Sequence, residues 1–283
     1  MPATMKIIAL DLDGTLLDSK KRLSARNRAA LEKAAAKGAI IVPTTGRFFG
    51  MMPEEVRNLP FIRYAITING AQVYDRLEEK AIVRAEIPLA TAVEIMKMLD
   101  RHDVVYDCYR SDWGWMTKSM QDNSEGYATD EHYLKMVKEF RKPVKDLKEH
   151  LLSTEPEGDV QKIMLFAKKD DRETALAKLK EIRDEVSARF PEIKITSSTW
   201  NDLEFNIAEA HKGKSLERFA AHLGMTLEDC AAFGDGLNDY TMIESAGCGV
   251  AMANAVPELL QVAKMTTLSN DEDGVAAVLE TWF

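Results

Sequence analysis

Lys6-Ile7-Ile8-Ala9-Leu10-Asp11-Leu12-Asp13-Gly14-Thr15 is a short apolar run that ends on two carboxylates. The run is long enough for one buried strand. Leu12 separates the two acids, and Gly14 and Thr15 follow them. Folding gains nothing from paired negative charge at the end of a buried strand, because desolvating carboxylates without partners is costly. A bound cation, a cationic side chain, or a catalytic task that needs both groups would each offset that cost. Helix capping or a solvated turn is the plain structural alternative.

Working outward, the strand leads to a helix that Ser24 caps and Gly38 ends, after an Ala/Leu-rich run. Ala39 to Val42 reads as a second strand, ending in Pro43-Thr44-Thr45-Gly46-Arg47, with a helix from Glu54 to Leu59 beyond it. Tyr64 to Ile68 reads as a third strand, ending at Asn69-Gly70. This alternation predicts parallel βαβ units. The pattern then changes. Gln72 to Tyr74 and Ala81 to Arg84 look like a hairpin. A helix with Val93, Met96 and Leu99 on one face follows. Further on come a polar and aromatic section, a charged stretch from Lys135 to Glu149, and a strand from Lys162 to Ala167. Leu176, Leu179, Ile182 and Val186 then form one helical stripe, and Ile193 to Ile195 and Leu203 to Ile207 read as strands. After His211 the first style returns. A helix opens at Lys212. Cys230 to Phe233 reads as a buried strand ending in Gly234-Asp235-Gly236-Leu237-Asn238-Asp239, and Gly249 to Met252 as a short strand.

The predicted fold is therefore α/β: a Rossmann-like parallel-sheet core from residues 1–84 and 209–283, with an inserted α+β domain over 85–208. Loops at the carboxyl ends of parallel strands are where such sheets place ligands. Four polar clusters stand there: Asp11/Asp13, Thr45-Gly46-Arg47, Asn69-Gly70 and Asp235/Asn238/Asp239.

The totals narrow the functional classes. The chain has 283 residues, 46% hydrophobic, which suits one large or two modest domains. The net charge of −9, without a polybasic run, argues against a nucleic-acid partner. Cys108, Cys230 and Cys248 are scattered and form no CxxC pair, which argues against a disulfide framework or structural zinc and for a reducing, cytoplasmic setting. No apolar stretch reaches membrane-spanning length, and Lys6 to Leu10 is too short for a signal peptide. The expected assembly is a monomer or small homo-oligomer.

The clusters together resemble the haloacid dehalogenase superfamily of phosphatases, and within it the Cof-like group with a large inserted cap. The resemblance rests on Leu10-Asp11-Leu12-Asp13-Gly14-Thr15, Thr44-Thr45-Gly46-Arg47, Thr67-Ile68-Asn69-Gly70-Ala71, Lys212-Gly213, Gly234-Asp235-Gly236-Leu237-Asn238-Asp239, Ala251-Met252-Ala253-Asn254-Ala255 and Asn270-Asp271-Glu272-Asp273-Gly274-Val275-Ala276. Any one of these is weak alone; their order and spacing make the signal strong.

The resemblance implies a phosphatase of small phosphorylated metabolites, with a small-molecule phosphate ester as the partner. It implies Asp11 as nucleophile, Asp13 as general acid/base, and Mg²⁺ held by Asp11, Asp235 and the backbone carbonyl of Asp13. Asp239 would stand close to the metal or reach it through water. Lys212 would neutralise charge on the nucleophile and phosphoryl group. Thr45 and Gly46 would donate to phosphate at a helix start. Arg47, Asn69, Gly70 and Asn238 would add substrate contacts. The chemistry suits these residue types: an anionic nucleophile meeting an anionic ester needs a hard cation with oxygen ligands.

Plain alternatives stand beside several assignments. Asn69-Gly70 is also an ordinary turn dipeptide. Asp239 also suits a helix cap, Arg47 a solvated helix residue, and Lys214 lies close to Lys212. Gly213-Lys214-Ser215 resembles the end of a P-loop, but Ala208 stands where its first glycine belongs. In the inserted domain, Tyr106 to Met120, with Trp113, Trp115 and Met116, and Trp200 to Glu204 are candidates for facing substrate; core packing is the alternative. A phosphomutase or phosphotransferase sharing the covalent intermediate, and a non-catalytic sensor of phosphorylated ligands, are the competing functional readings. A sensor needs no acid/base, so the Asp11/Asp13/Lys212/Asp235 set argues against it.

Overall fold

Strand β1 spans Ile7–Leu10, with every residue buried. The computed structural model describes residues 5–128, 131–154 and 158–283. In chain order, β2 is Ile40–Pro43, β3 Tyr64–Thr67, β4 Gln72–Asp75 and β5 Lys80–Arg84. Then come β6 Val104–Arg110, β7 Trp113–Thr117, β8 Arg141–Val144, β9 Lys162–Ala167, β10 Ile193–Thr196 and β11 Asp202–Ile207. The last are β12 Cys230–Gly234, β13 Cys248–Ala251 and β14 Met265–Thr266. The chain divides into two compact units, Met1–Arg84 with Glu209–Phe283, and Ala85–Ala208.

The first unit is built on a parallel sheet in the order β14-β13-β12-β1-β2. β1 lies between β12 and β2, with Ile7 opposite both Cys230 and Ile40. Side chains alternate across a strand, so β1 feeds two cores. Ile8 and Leu10 join a cluster with Leu31, Ala34, Val275 and Leu279, from the helices Ala25–Ala36 and Gly274–Trp282. Ile7 and Ala9 join Leu216, Phe219, Met242 and Ile243, from the helices Lys212–His222 and Tyr240–Ser245. Helices on both faces explain why β1 and β12 read as continuous apolar runs rather than alternating ones. Ser24 caps the first helix by accepting from the Asn27 amide, and Gly38 follows it at φ +93°.

Strand β3 departs from expectation. It pairs with the chain just past β2 only as an isolated bridge, Thr44 to Ile66, and forms instead an antiparallel sheet in the order β3-β4-β5. The reason is local: residues 68–70 all take positive φ, which turns the chain back on itself at once. The expected helix to Leu59 is shorter, Glu54–Arg57, and is preceded by a 3₁₀ turn at Phe49–Met51.

The second unit carries one sheet in the order β10-β11-β9-β6-β7-β8. Neighbours run antiparallel except β7 and β8. One face packs on the helices Leu89–Leu99 and Arg172–Arg189 through Tyr106, Cys108, Ile163, Leu165, Leu203 and Phe205. The stripe of the second helix is Ala175, Leu179, Ile182 and Val186. Leu176 is 46% exposed, because the repeat of three and four residues selects position 175. The other face of the sheet carries Asp107, Tyr109, Lys162 and Glu204, all buried. Arg141 Nε lies 2.8 Å from Asp107 Oδ2, and Lys162 Nζ lies 3.1 Å from Glu204 Oε2. Met116 is fully buried. Trp115 and Trp200 pack against the apolar cluster. Trp113 is 40% exposed, with the Lys142 ammonium 4.0 Å above its ring. All three cysteines are free and buried. Among the described residues no helix is long and apolar enough to cross a membrane.

Candidate active site

β12, β1 and β2 are neighbours and parallel, so the loops leaving their carboxyl ends must meet. Asp235 follows β12, Asp11 follows β1, and Thr45 lies just beyond β2. Lys212 is fully buried at the first position of its helix. Its Nζ donates to Asp11 Oδ1 at 2.5 Å and to Asp239 Oδ1 at 2.5 Å. Asp239 Oδ2 in turn accepts the Asp235 and Gly236 amides, each at 3.0 Å. Asp239 therefore shapes the loop that carries Asp235 and also holds Lys212. It occupies the N-cap position of the helix Tyr240–Ser245, but its side chain makes no capping bond to that helix.

Asp235 accepts from Thr15 Oγ1 at 3.0 Å. Gly14, at φ +88°, lies so close to Asp235 that a Cβ would overlap the carboxylate. Only glycine fits there, on both conformational and steric grounds. Asn254 completes this corner: its Nδ2 donates to the Gly14 carbonyl at 2.8 Å. Thr15 and Asn254 lie within the motif segments, yet motif reading alone gave them no role. Their contribution is to hold the backbone and carboxylate of neighbours, which spacing does not reveal.

Asp13 is one third exposed and turns to a different set of partners. Arg47 Nη2 donates to its two oxygens at 3.0 and 2.9 Å, and Nε to Oδ2 at 3.2 Å. Lys21 Nζ lies 3.0 Å from Oδ1. Sequence reading missed Lys21. It is brought back by the turn in which Asp18 accepts the Lys20 and Arg22 amides, with Lys21 itself at φ +62°.

Thr45 is buried, and its environment corrects one expectation. It does not open a helix: the Thr45–Arg47 segment is a bend, and the Thr45 amide donates to Ile66 O at 2.9 Å. The Thr45 hydroxyl oxygen accepts the Arg47 amide at 3.2 Å, which leaves the hydroxyl proton for donation. Asn69 lies against this bend, where a Cβ on Gly46 would stand 2.9 Å from Asn69 Oδ1. Gly70 packs on the His211 peptide and accepts from Ser215 Oγ at 2.5 Å. Asn238 is exposed on the Asp235–Asp239 loop. His211 caps the Lys212 helix, its Nδ1 accepting the Lys214 amide at 3.2 Å.

Burial sets the electrostatics. It pushes Asp11 up to about 8, with Asp239 and Asp235 adding to the rise and Lys212 opposing it. Asp235 is also raised, first by burial and then by Asp239. Burial pulls Lys212 down, but Asp11 and Asp239 outweigh it and hold the ammonium charged. Burial pushes Asp13 up as well, but Arg47 and Lys21 outweigh it and hold the carboxyl below its usual range.

One carboxylate oxygen from each of Asp11, Asp235 and Asp239 lies within 4.8 Å of the others. These are hard donors in excess of the single lysine among them, which fits a small divalent cation such as Mg²⁺. Both Asp239 oxygens are already engaged, by Lys212 and by two amides. Asp235 Oδ2 meets Asn254 Nδ2 at 3.5 Å, a longer contact, so Asp11 and Asp235 would be the more available direct ligands.

Residues 8–279 match the family described as haloacid dehalogenase-like hydrolase. The chain is 30% identical to phosphatase YwpJ of Bacillus subtilis, over 98% of this chain and 99% of that protein. It is 28% identical to the 5-amino-6-(5-phospho-D-ribitylamino)uracil phosphatase YcsE of the same organism, over 98% and 96%. Among solved structures, a haloacid dehalogenase-like hydrolase from Bacteroides thetaiotaomicron aligns over 98% of this chain and 99% of its own, with a TM-score of 0.80 and 28% identity. With its parallel core, its inserted antiparallel unit and this match along nearly its whole length, the chain belongs to the haloacid dehalogenase-like hydrolases and is a phosphatase.

Proposed function

We propose that the protein is a Mg²⁺-dependent phosphatase of small phosphorylated metabolites that works through an aspartyl-phosphate on Asp11. The observation that carries this reading is the buried Asp11 carboxylate held at 2.5 Å by Lys212, with Asp235 and Asp239 beside it. Small phosphate esters as substrates are supported by the relatives named above, one of which acts on a phosphorylated ribitylamino-uracil. Discrimination among esters is assigned to the inserted unit.

Asp11 attacks phosphorus, the bond to the leaving oxygen breaks, and Asp13 gives that oxygen its proton. Asp13 then takes a proton from water, the water oxygen bonds to phosphorus, and phosphate leaves with Asp11 restored. Lys212 fixes Asp11 and neutralises charge on the phosphoryl group. The Thr45 hydroxyl, the Gly46 amide and Asn238 hold its oxygens. Arg47 and Lys21 occupy Asp13 in the resting site and are the cations an incoming anion recruits; Asp13 then loses partners that favour its ionised form. Mg²⁺ held by Asp11, Asp235 and the Asp13 carbonyl would supply Lewis-acid neutralisation of the ester. Asn69 and Gly70 serve the site from behind the Thr45–Arg47 bend.

The test is a panel of phosphate monoesters with the purified protein, ranked by kcat/KM, with and without EDTA. Hydrolysis that stops on chelation and returns with Mg²⁺ is the expected result. Turnover unaffected by chelation would remove the metal role of Asp235. Transfer to an added alcohol without release in water would favour a phosphotransferase instead.

A further inference from the structure

The turn after β3 holds three consecutive residues in the left-handed region: Ile68 at φ 54°, Asn69 at 55° and Gly70 at 99°. Glycine and asparagine enter that region readily. A β-branched side chain does so at a steric cost. Ile68 is fully buried in that conformation. Such backbones persist only where their surroundings over-determine them, and they collect at functional sites.

The surroundings here are parts of the site. The Ile68 amide donates to Arg47 O at 3.0 Å, and the Asn69 amide to Thr45 O at 3.0 Å. On the other side of the turn, Gly70 O accepts from Ser215 Oγ at 2.5 Å. A Cβ on Gly70 would come within 2.6 Å of the His211 backbone. Ser215 lies on the helix that Lys212 opens. One strained turn therefore grips the Thr45–Arg47 bend with two amides and the lysine helix with a carbonyl. A hairpin between β3 and β4 alone needs no isoleucine at positive φ, because an Asn-Gly pair suffices.

We propose that the Ile68–Gly70 turn is a positioning element of the phosphate site, setting the Thr45–Arg47 bend in register with Lys212. Ile68 and Ser215 are then positioning residues that act through others. The proposal rests on the phosphatase reading, and its test separates the two.

Ser215→Ala removes the bond to Gly70 with almost no change in shape, and Gly70→Ala wedges the turn away from His211. Four quantities are measured with Mg²⁺ present: kcat and KM for para-nitrophenyl phosphate, Kd for inorganic phosphate by calorimetry, and Tm. Ser215→Ala is expected to lower kcat about tenfold and weaken phosphate binding about fivefold, with Gly70→Ala more severe. Unchanged kcat and phosphate Kd in Ser215→Ala, with only Tm lowered, would overturn the proposal and leave the turn purely structural. If Gly70→Ala does not fold, Ser215→Ala decides. A wild type that binds phosphate but hydrolyses no ester defeats the phosphatase reading, and the phosphate Kd series still decides the positioning role. A wild type that neither binds phosphate nor hydrolyses esters removes both.

Discussion

Lys212, Arg47 and Lys21 stand against Asp11, Asp13, Asp235 and Asp239 around the strand ends. The arrangement is divided. Lys212 serves the buried acids, while Arg47 and Lys21 serve Asp13, which is one third exposed. In the proposed reaction that division separates the attacking group, Asp11, from the group that moves protons, Asp13. It also has a consequence for stability. Burial pushes the Asp11 carboxyl up to about 8 from its ordinary 3.8, so between these values the metal-free native state holds a proton that the unfolded chain releases. Stability from this group is present at low pH and is lost as pH rises from about 4 to about 8, at up to about 1.4 kcal/mol per pH unit. Asp13 works the other way: its carboxyl is held down, so its contribution is lost as pH falls below about 4. Chemical denaturation of chelated protein should show the first slope in the wild type and a much shallower one in Asp11→Asn. Equal slopes would contradict the burial argument.

Among the elements, β8 shows best what patterning could not reach. The sequence shows only a charged stretch from Lys135 to Glu149 around Pro143, yet Arg141–Val144 is a strand. It lies at the sheet edge, where a proline costs no ladder bond, and it pairs parallel with β7. Its value lies in Arg141, whose guanidinium meets Asp107 with both side chains fully buried. Burial raises the Asp107 pKa, and Arg141 opposes the rise. Arg141→Met strands a buried carboxylate and should destabilise the inserted unit by about 3–5 kcal/mol in urea denaturation. Replacing both partners with apolar residues of similar volume should recover most of that loss. If the single variant costs less than the double, the pair is not what holds this face together. The turn at Ile68 was hidden for a related reason. Asn69-Gly70 announces a hairpin, but nothing in the letters says that a preceding isoleucine also turns left-handed and bonds to the Thr45–Arg47 bend.

At the scale of the whole molecule, the fold was legible wherever burial on two faces leaves a continuous apolar run. β1, β2 and β12 are such runs, and each ends on the polar cluster that its place in a parallel sheet brings to one rim. Asp11, Asp235, Asp239 and Lys212 meet there. Less legible were the groups that hold those residues in place. Thr15, Asn254 and Ser215 act through hydrogen bonds between segments far apart in the chain, and Lys21 through an ion pair that a local turn creates; only the folded geometry shows them. Metal binding would link the site to stability throughout its unit. Mg²⁺ at about a hundred times its Kd should stabilise the protein by about 2.7 kcal/mol. Thermal melts should show this shift in the wild type and lose it in Asp235→Asn. A shift that survives Asp235→Asn would place the cation elsewhere.

In the proposed reaction Asp11 carries the phosphoryl group. The most direct test of that role is acid quenching during steady-state hydrolysis, followed by peptide mass spectrometry of wild type and Asp11→Asn. A phosphorylated peptide containing Asp11 is expected in the wild type, and in the variant a folded protein with turnover reduced by about 10⁴-fold or more. Phosphate trapped on another residue, or hydrolysis retained by Asp11→Asn, would contradict that role.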